Sequence, residues 1–119
     1  MKKVLIIGGS SGVGEAIAKK VATHNNVIAT YRNNFKDNTE NIEYREFDVT
    51  KNNPEKLEID GPLDSIIYCP GTINLKPFHR YSEQELIDDF NVNVWDTLRV
   101  ERAGKFIDLN FNFCLIWHF

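Results

Sequence analysis

The sequence predicts an α/β domain built on an open parallel sheet, and three observations carry that expectation. Residues 4–7, VLII, form a short run that is apolar on both faces, as a strand in the middle of a parallel sheet must be. A glycine-rich turn and a helical pattern follow it directly. Three more strand-like runs, at residues 27–32, 42–47 and 65–69, then recur with helical or turn-rich chain between them.

The elements follow in order. Ile17 and Val21, with Ala16 and Ala22 nearby, recur at helical spacing over about residues 12–24, and Lys19 and Lys20 fall on the outer face near the helix end. Asn25-Asn26 closes that helix and VIATYR makes the second strand. Residues 33–41, NNFKDNTEN, are polar and turn-rich, and the third strand ends in Asp48-Val49-Thr50. Two prolines, a glycine and mixed charge over residues 51–62 leave room only for a short helical turn around Glu55 to Leu57. SIIYC is the fourth strand, stopped by Pro70-Gly71. Ser82 with Glu85 three residues on is a capping-box pattern. Leu86, Phe90, Val94 and Leu98 follow at intervals of four, so a long amphipathic helix is expected over residues 82–103, ended by Gly104. Near-strict alternation over residues 106–113 predicts a fifth strand.

At 119 residues the chain has room for one domain with one core, spanning 1–119. Its 42% apolar and 26% charged residues are the balance of a globular protein. A net charge of -3, with no Lys/Arg stripe on any element, argues against a nucleic-acid partner. The apolar run after Lys2 and Lys3 is shorter than the roughly 7 residues a signal core needs, and no stretch approaches the roughly 20 apolar residues of a membrane helix. Cys69 and Cys114 lie far apart without metal-ligand spacing, so the reading is a cytoplasmic protein with reduced thiols and no metal site.

Four of the seven glycines lie between Gly8 and Gly14. Without a Cβ, Gly8 and Gly12 can take positive φ and let backbone N–H groups approach a phosphate at the positive end of the helix, while Gly14 lets helix and strand pack closely. The plain alternative is a tight strand-to-helix turn with no ligand. Gly9 and Gly14 match the ends of the phosphate loop GxxxxGK[ST], but Glu15 and Ala16 stand where its lysine and hydroxyl belong, so an ATP or GTP loop is rejected. GxGxxG also fails, because Ile17 follows Gly14 three residues on. The spacing that stands is GxxxGxG: Gly8, Gly12, Gly14.

GGSSGVG after an N-terminal strand resembles the coenzyme loop of the short-chain dehydrogenase/reductase family, whose usual form is TGxxxGxG, with Ile7 in place of the threonine. Three further segments fall in family order. DVT, with Asp48 and Val49, is similar to the family's Asp-Val/Leu-Thr, where the aspartate contacts the adenine amine. YCPG sits where the family has Asn-Asn-Ala-Gly and keeps only Gly71. NVNVW resembles the family's helical Val-Asn motif and carries its functional asparagine onto Asn93. The resemblance covers residues 3 to about 100 and implies a Rossmann-type doubly wound sheet, ending here after about five strands. It places the coenzyme on Gly8, Ser10, Ser11, Gly12, Val13, Gly14, Tyr31, Arg32, Asp48, Val49 and Gly71.

The second strand ends Thr30-Tyr31-Arg32-Asn33, with no acid before Asp37. An acid at that position reads the ribose hydroxyl of NAD, and an arginine accommodates the extra phosphate of NADP, so NADP(H) is the expected coenzyme and NAD(H) the alternative. The alternative for Arg32 is an exposed solubilising charge. Ser10 and Ser11 would offer hydroxyls to the same phosphate, or serve simply as turn residues.

Family members transfer hydride between the nicotinamide and a carbonyl or alcohol, with a serine on the fifth strand and a Tyr-x-x-x-Lys pair on the next helix. The tyrosines here, at 31, 44, 68 and 81, are followed four residues on by Phe35, Asp48, Thr72 and Glu85, so no such pair exists. The last serine is Ser82. Of the catalytic set only Asn93 is present, where the resemblance implies a kinked helix and a water held in a proton relay. Residues 101–119 diverge and end FNFCLIWHF, a tail prone to aggregation unless buried or paired, and fragment, shifted frame and shortened product all remain open. His118 and Trp117 in it carry no site.

Three functions follow: the coenzyme-binding half of an NADP(H)-dependent short-chain oxidoreductase, inactive alone; a non-catalytic dinucleotide-binding or sensor module; and a nonfunctional fragment. Relatives pair through the long helix, which implies a homo-oligomer through residues 82–103. The apolar stripe there fits that and equally fits packing on its own sheet.

Overall fold

Strand β1 (Lys3–Ile7) lies at the centre of the sheet and its residues divide between two cores. Val4 and Ile6 cluster with Ala18 and Ala22 from helix α1 (Gly12–Val21) and its C-cap, and with Val27 and Ala29 of β2 (Asn26–Tyr31). Leu5 and Ile7 belong to the opposite core, with Ile28, Phe47, Ile66 and Tyr68. Burial on both faces is why this strand reads as an unbroken apolar run. Each such fully buried side chain contributes about 1.5–3 kcal/mol relative to exposure.

The structure is a computed structural model, and it describes residues 2–59, 63–70, 78–96, 98–100 and 112–115. Five parallel strands run in the order β3-β2-β1-β4-β5, with β3 at Ile42–Glu46, β4 at Ser65–Tyr68 and β5 at Asn112–Leu115. Ile6 pairs with Ala29 on one side of β1, and Ile7 with Tyr68 on the other. The chain steps outward from β1 through β2 to β3, then returns across the sheet to β4. That reversal opens a crevice at the carboxyl ends of β1 and β4, the place where sheets of this kind take their ligands.

Gly14 and Ala18, small and buried one helical turn apart, let α1 settle against β1. Asn25 closes the helix, its backbone N–H and its side-chain amide both donating to the Val21 carbonyl at 3.1 Å. A short 3-10 turn at Pro54–Leu57 lies where the sequence leaves room for one, and buries Leu57.

Helix α2 (Glu83–Phe90) starts as the capping pattern predicts, with the Ser82 hydroxyl accepting the Glu85 N–H at 3.1 Å. The helix expected over 82–103 is interrupted around Asn93, where the resemblance implies a kink. The α-helix ends at Phe90, a π turn occupies Asn91–Trp95, and helical chain resumes beyond it; Gly104, the expected stop, lies outside the described residues. The apolar stripe does not pack on the sheet: Leu86, Phe90 and Leu98 are 45%, 53% and 46% exposed, and Val94 is half-buried. Val92, Asp96 and Val100 are the buried residues instead. No residue of α2 itself is buried, so the stripe is exposed before the π turn is reached, and burial begins only at Val92.

A fifth strand is present and runs past the expected end at residue 113. It occupies Asn112–Leu115, pairing parallel with β4 from Ser65↔Asn112 to Tyr68↔Leu115, while the alternating residues 106–111 fall outside the described residues. Part of the tail is thus paired with β4.

Candidate functional site

The glycine loop joins β1 to α1 through two left-handed residues, Gly8 at φ 78° and Gly12 at φ 58°. An L side chain at either would strain the backbone. Between them the loop is pinned to β2: the Gly8 N–H donates to Thr30 Oγ1 at 2.9 Å and the Gly9 N–H to the Thr30 carbonyl at 3.0 Å. Thr30 is wholly buried at the end of β2, so this anchor is shielded from water. Gly14 closes the loop from below, where a Cβ would overlap the Gly8 carbonyl oxygen.

Ser11 is the N-cap of α1, with extended backbone, and its hydroxyl makes no capping bond. The first helical bond is Glu15 N–H to the Ser11 carbonyl at 3.2 Å, so the amides of Gly12, Val13 and Gly14 precede the helix's own ladder. Oriented amides and the positive helix end together make a seat for an anion.

A cavity of about 400 Å³ opens at this seat, over the carboxyl ends of β1, β2 and β4 and the segment that follows β3. On its far side Asp48 Oδ1 accepts from the Thr50 N–H at 2.9 Å and the Thr50 hydroxyl at 2.6 Å. Burial works to raise the Asp48 pKa, yet those two donors and the charges of Arg32 and Lys51 together hold it below the ordinary value. Asp48 is therefore a carboxylate acceptor at neutral pH.

Beside the loop, Glu15 Oε1 lies 2.8 Å from Lys19 Nζ and 2.6 Å from Lys36 Nζ. The hydrogen bonds from Lys19 and then Lys36 lower its pKa to about 2. Lys36 sits on the chain after β2, so Glu15 ties the Arg32–Lys36 segment to the first turn of α1.

Of the residues named from the sequence, Gly8, Ser10, Ser11, Gly14, Tyr31, Arg32, Asp48 and Val49 line this one cavity. Gly12 and the 40%-exposed Val13 belong to the loop without lining it, and Asn93 sits half-buried in the π turn one residue from the lining residue Val92. Gly71 lies outside the described residues. The sequence reading misses Thr30, Cys69 and Pro70. Thr30 had a legible signal: a hydroxyl two residues before Arg32, at the strand end that parallel pairing sets beside Gly8. Pro70 packs against Gly8, as its ring would stand 3.4 Å from any Cβ there. Among the described residues no helix is long and apolar enough to cross a membrane.

Comparison with known proteins adds to this geometry. A family model described as short chain dehydrogenase matches residues 2–104. No curated protein matches the chain. Serine dehydrogenase from Escherichia coli superposes with a TM-score of 0.81 at 22% identity, over 98% of this chain and 64% of its own. A short-chain dehydrogenase/reductase from Burkholderia multivorans with bound NADP gives 0.78 at 19%, over 97% and 58%. A short chain dehydrogenase from Leptospira borgpetersenii with bound NAD+ gives 0.70 at 22%, over 87% and 44%. The chain spans less than two thirds of the length of each of these structures.

Proposed function

Because the chain belongs to the short-chain dehydrogenase family, we propose that it is the coenzyme-binding part of an NAD(P)H-dependent oxidoreductase acting on a small carbonyl or alcohol substrate. The observation that carries the reading is the fit of Gly14 beneath the Gly8 carbonyl, with positive φ at Gly8 and Gly12. A turn that only joined strand to helix would not need all three glycines and an uncommitted N-cap hydroxyl.

In this reading the coenzyme, when bound, supplies or accepts the hydride. The amides of Gly12, Val13 and Gly14 neutralise its pyrophosphate, and Asp48 beside Val49 accepts from the adenine amine. Arg32, with Ser10 and Ser11, would pair the 2′-phosphate, which makes NADP(H) the preferred coenzyme over NAD(H); Tyr31 and, by the family resemblance, Gly71 would also serve the coenzyme. Asn93 orients a water in a proton relay. The chain alone turns over negligibly, because neither the strand serine nor the Tyr-x-x-x-Lys pair occurs in it. That same lack favours a second reading, a dinucleotide-binding or sensor module without catalysis.

The exposed Leu86, Phe90 and Leu98 support a homo-oligomer formed through residues 82–103. A cytoplasmic setting belongs to the same proposal. Thermal unfolding with each coenzyme tests it: NADPH should raise the midpoint more than NADH. No shift with either contradicts the binding reading, and brisk NADPH oxidation with a carbonyl panel contradicts the claim of negligible turnover.

A further inference from the structure

One buried hydroxyl connects β4 to the π turn. Tyr68 is 0% exposed, and its hydroxyl donates to the Val92 carbonyl at 2.8 Å. Its ring lies among Leu5, Ile7, Ile66 and Val100, where an unpaired phenol would lose its hydration without compensation. In an α-helix the Val92 carbonyl would accept the N–H of Asp96, four residues on. Here the Asp96 N–H goes to the Asn91 carbonyl instead, five residues back. The Tyr68 hydroxyl thus donates to the carbonyl that the Asp96 N–H passes over.

We propose that Tyr68 is a positioning residue, whose hydroxyl holds the helix in π register at Asn91–Trp95 and so sets the direction of Asn93. Its meaning for function rests on the reading of Asn93 given above; its structural content does not. A π turn adds one residue, which rotates the following helix by about 100° relative to an uninterrupted one. That rotation accompanies the burial of Val92, Asp96 and Val100 and the exposure of Leu98. Without the hydroxyl, the Asp96 N–H regains the Val92 carbonyl as its acceptor, which returns the turn to α register and carries Asn93 with it.

Tyr68→Phe removes one oxygen and tests this in the ligand-free chain labelled with 15N and 13C. The Asn93 side-chain amide signals should move, and exchange of the Asp96 backbone amide should change by about tenfold or more. Ile66→Val trims the same core from the same strand and should move neither signal. Wild-type values in Tyr68→Phe, or equal changes in Ile66→Val, would overturn the proposal. Should Tyr68→Phe not fold, the wild-type chain decides: a slowly exchanging Tyr68 hydroxyl proton with a cross-peak to the Asn93 backbone amide supports the clasp, and its absence overturns it. Titration of the wild-type chain with NADPH is read separately. Failure to bind contradicts the coenzyme reading and leaves the register result standing; binding with unchanged Asn93 signals in Tyr68→Phe does the reverse.

Discussion

Gly14 lies directly beneath Gly8, so that a methyl group on Gly14 would overlap the Gly8 carbonyl oxygen. Both partners in that contact are backbone, which cannot swing aside as a side-chain end can. Gly14→Ala should therefore destabilise the fold by about 3 kcal/mol. Gly12→Ala, at φ 58° but with open space around it, meets only the left-handed backbone penalty of about 1 kcal/mol. Urea unfolding of the two variants measures the difference, and equal losses would contradict the close packing of loop on helix.

Thr30 holds two amides of the same loop. Thr30→Val keeps the shape and removes the acceptor of the Gly8 N–H, which should cost about 1–3 kcal/mol. Thr30→Ser keeps the oxygen and should retain most of the stability. The same pair, titrated with NADPH, should show weaker binding in the valine variant only.

Arg32 is the cation at the end of β2 that lines the cavity, and the proposed NADP preference turns on it. A charge-assisted bond to phosphate is worth about 1.5–3 kcal/mol, so Arg32→Ala should weaken NADPH by about tenfold or more. NADH should be nearly unaffected. Equal weakening of both would show that Arg32 serves the fold or the pyrophosphate and not the 2′-phosphate.

Two carboxylates give opposite pH signatures. Glu15, held by Lys19 and Lys36, has its pKa lowered from 4.5 to about 2. Its folded value lies below its unfolded one, so its contribution is present above pH 4.5 and is lost as pH falls toward 2. A carbon-detected titration should place its midpoint near 2, and Lys36→Met should raise it. Asp96 is buried, with Oδ2 lacking any hydrogen-bond partner, and burial raises its pKa despite Arg99 at 3.2 Å. A raised folded value means stability present at acid pH and lost as pH climbs through it. The stability of Asp96→Asn relative to wild type should accordingly improve as pH rises above 3.8, the ordinary value for this group. A constant difference across that range would contradict the assignment.

The inner strands and α1 are legible in the sequence because their signals are local. The short β-branched run VLII stopped by glycines reads as a doubly covered strand, and the apolar stripe after the glycine loop reads as its helix. Eight of the cavity residues come from those same short motifs, which parallel pairing brings to one sheet edge. The interruption near Asn93 is legible only through the family motif, since a 3.6-residue count presumes a constant register. Thr30's hydroxyl is visible at a strand end, while its bond to the Gly8 N–H arises only when β2 lies beside β1. The alternating run ahead of β5 falls outside the described residues, and the strand at Asn112–Leu115 overlaps its end.

The central claim is that the amides around Gly8 to Gly14 grip a pyrophosphate, and amide shift mapping during NADPH addition measures it most directly. The account predicts saturable shifts of the Gly12, Val13 and Gly14 amides together with the pyrophosphate 31P signals, at lower concentration for NADPH than for NADH. Absence of saturable shifts there, or shifts confined to another surface, would contradict it.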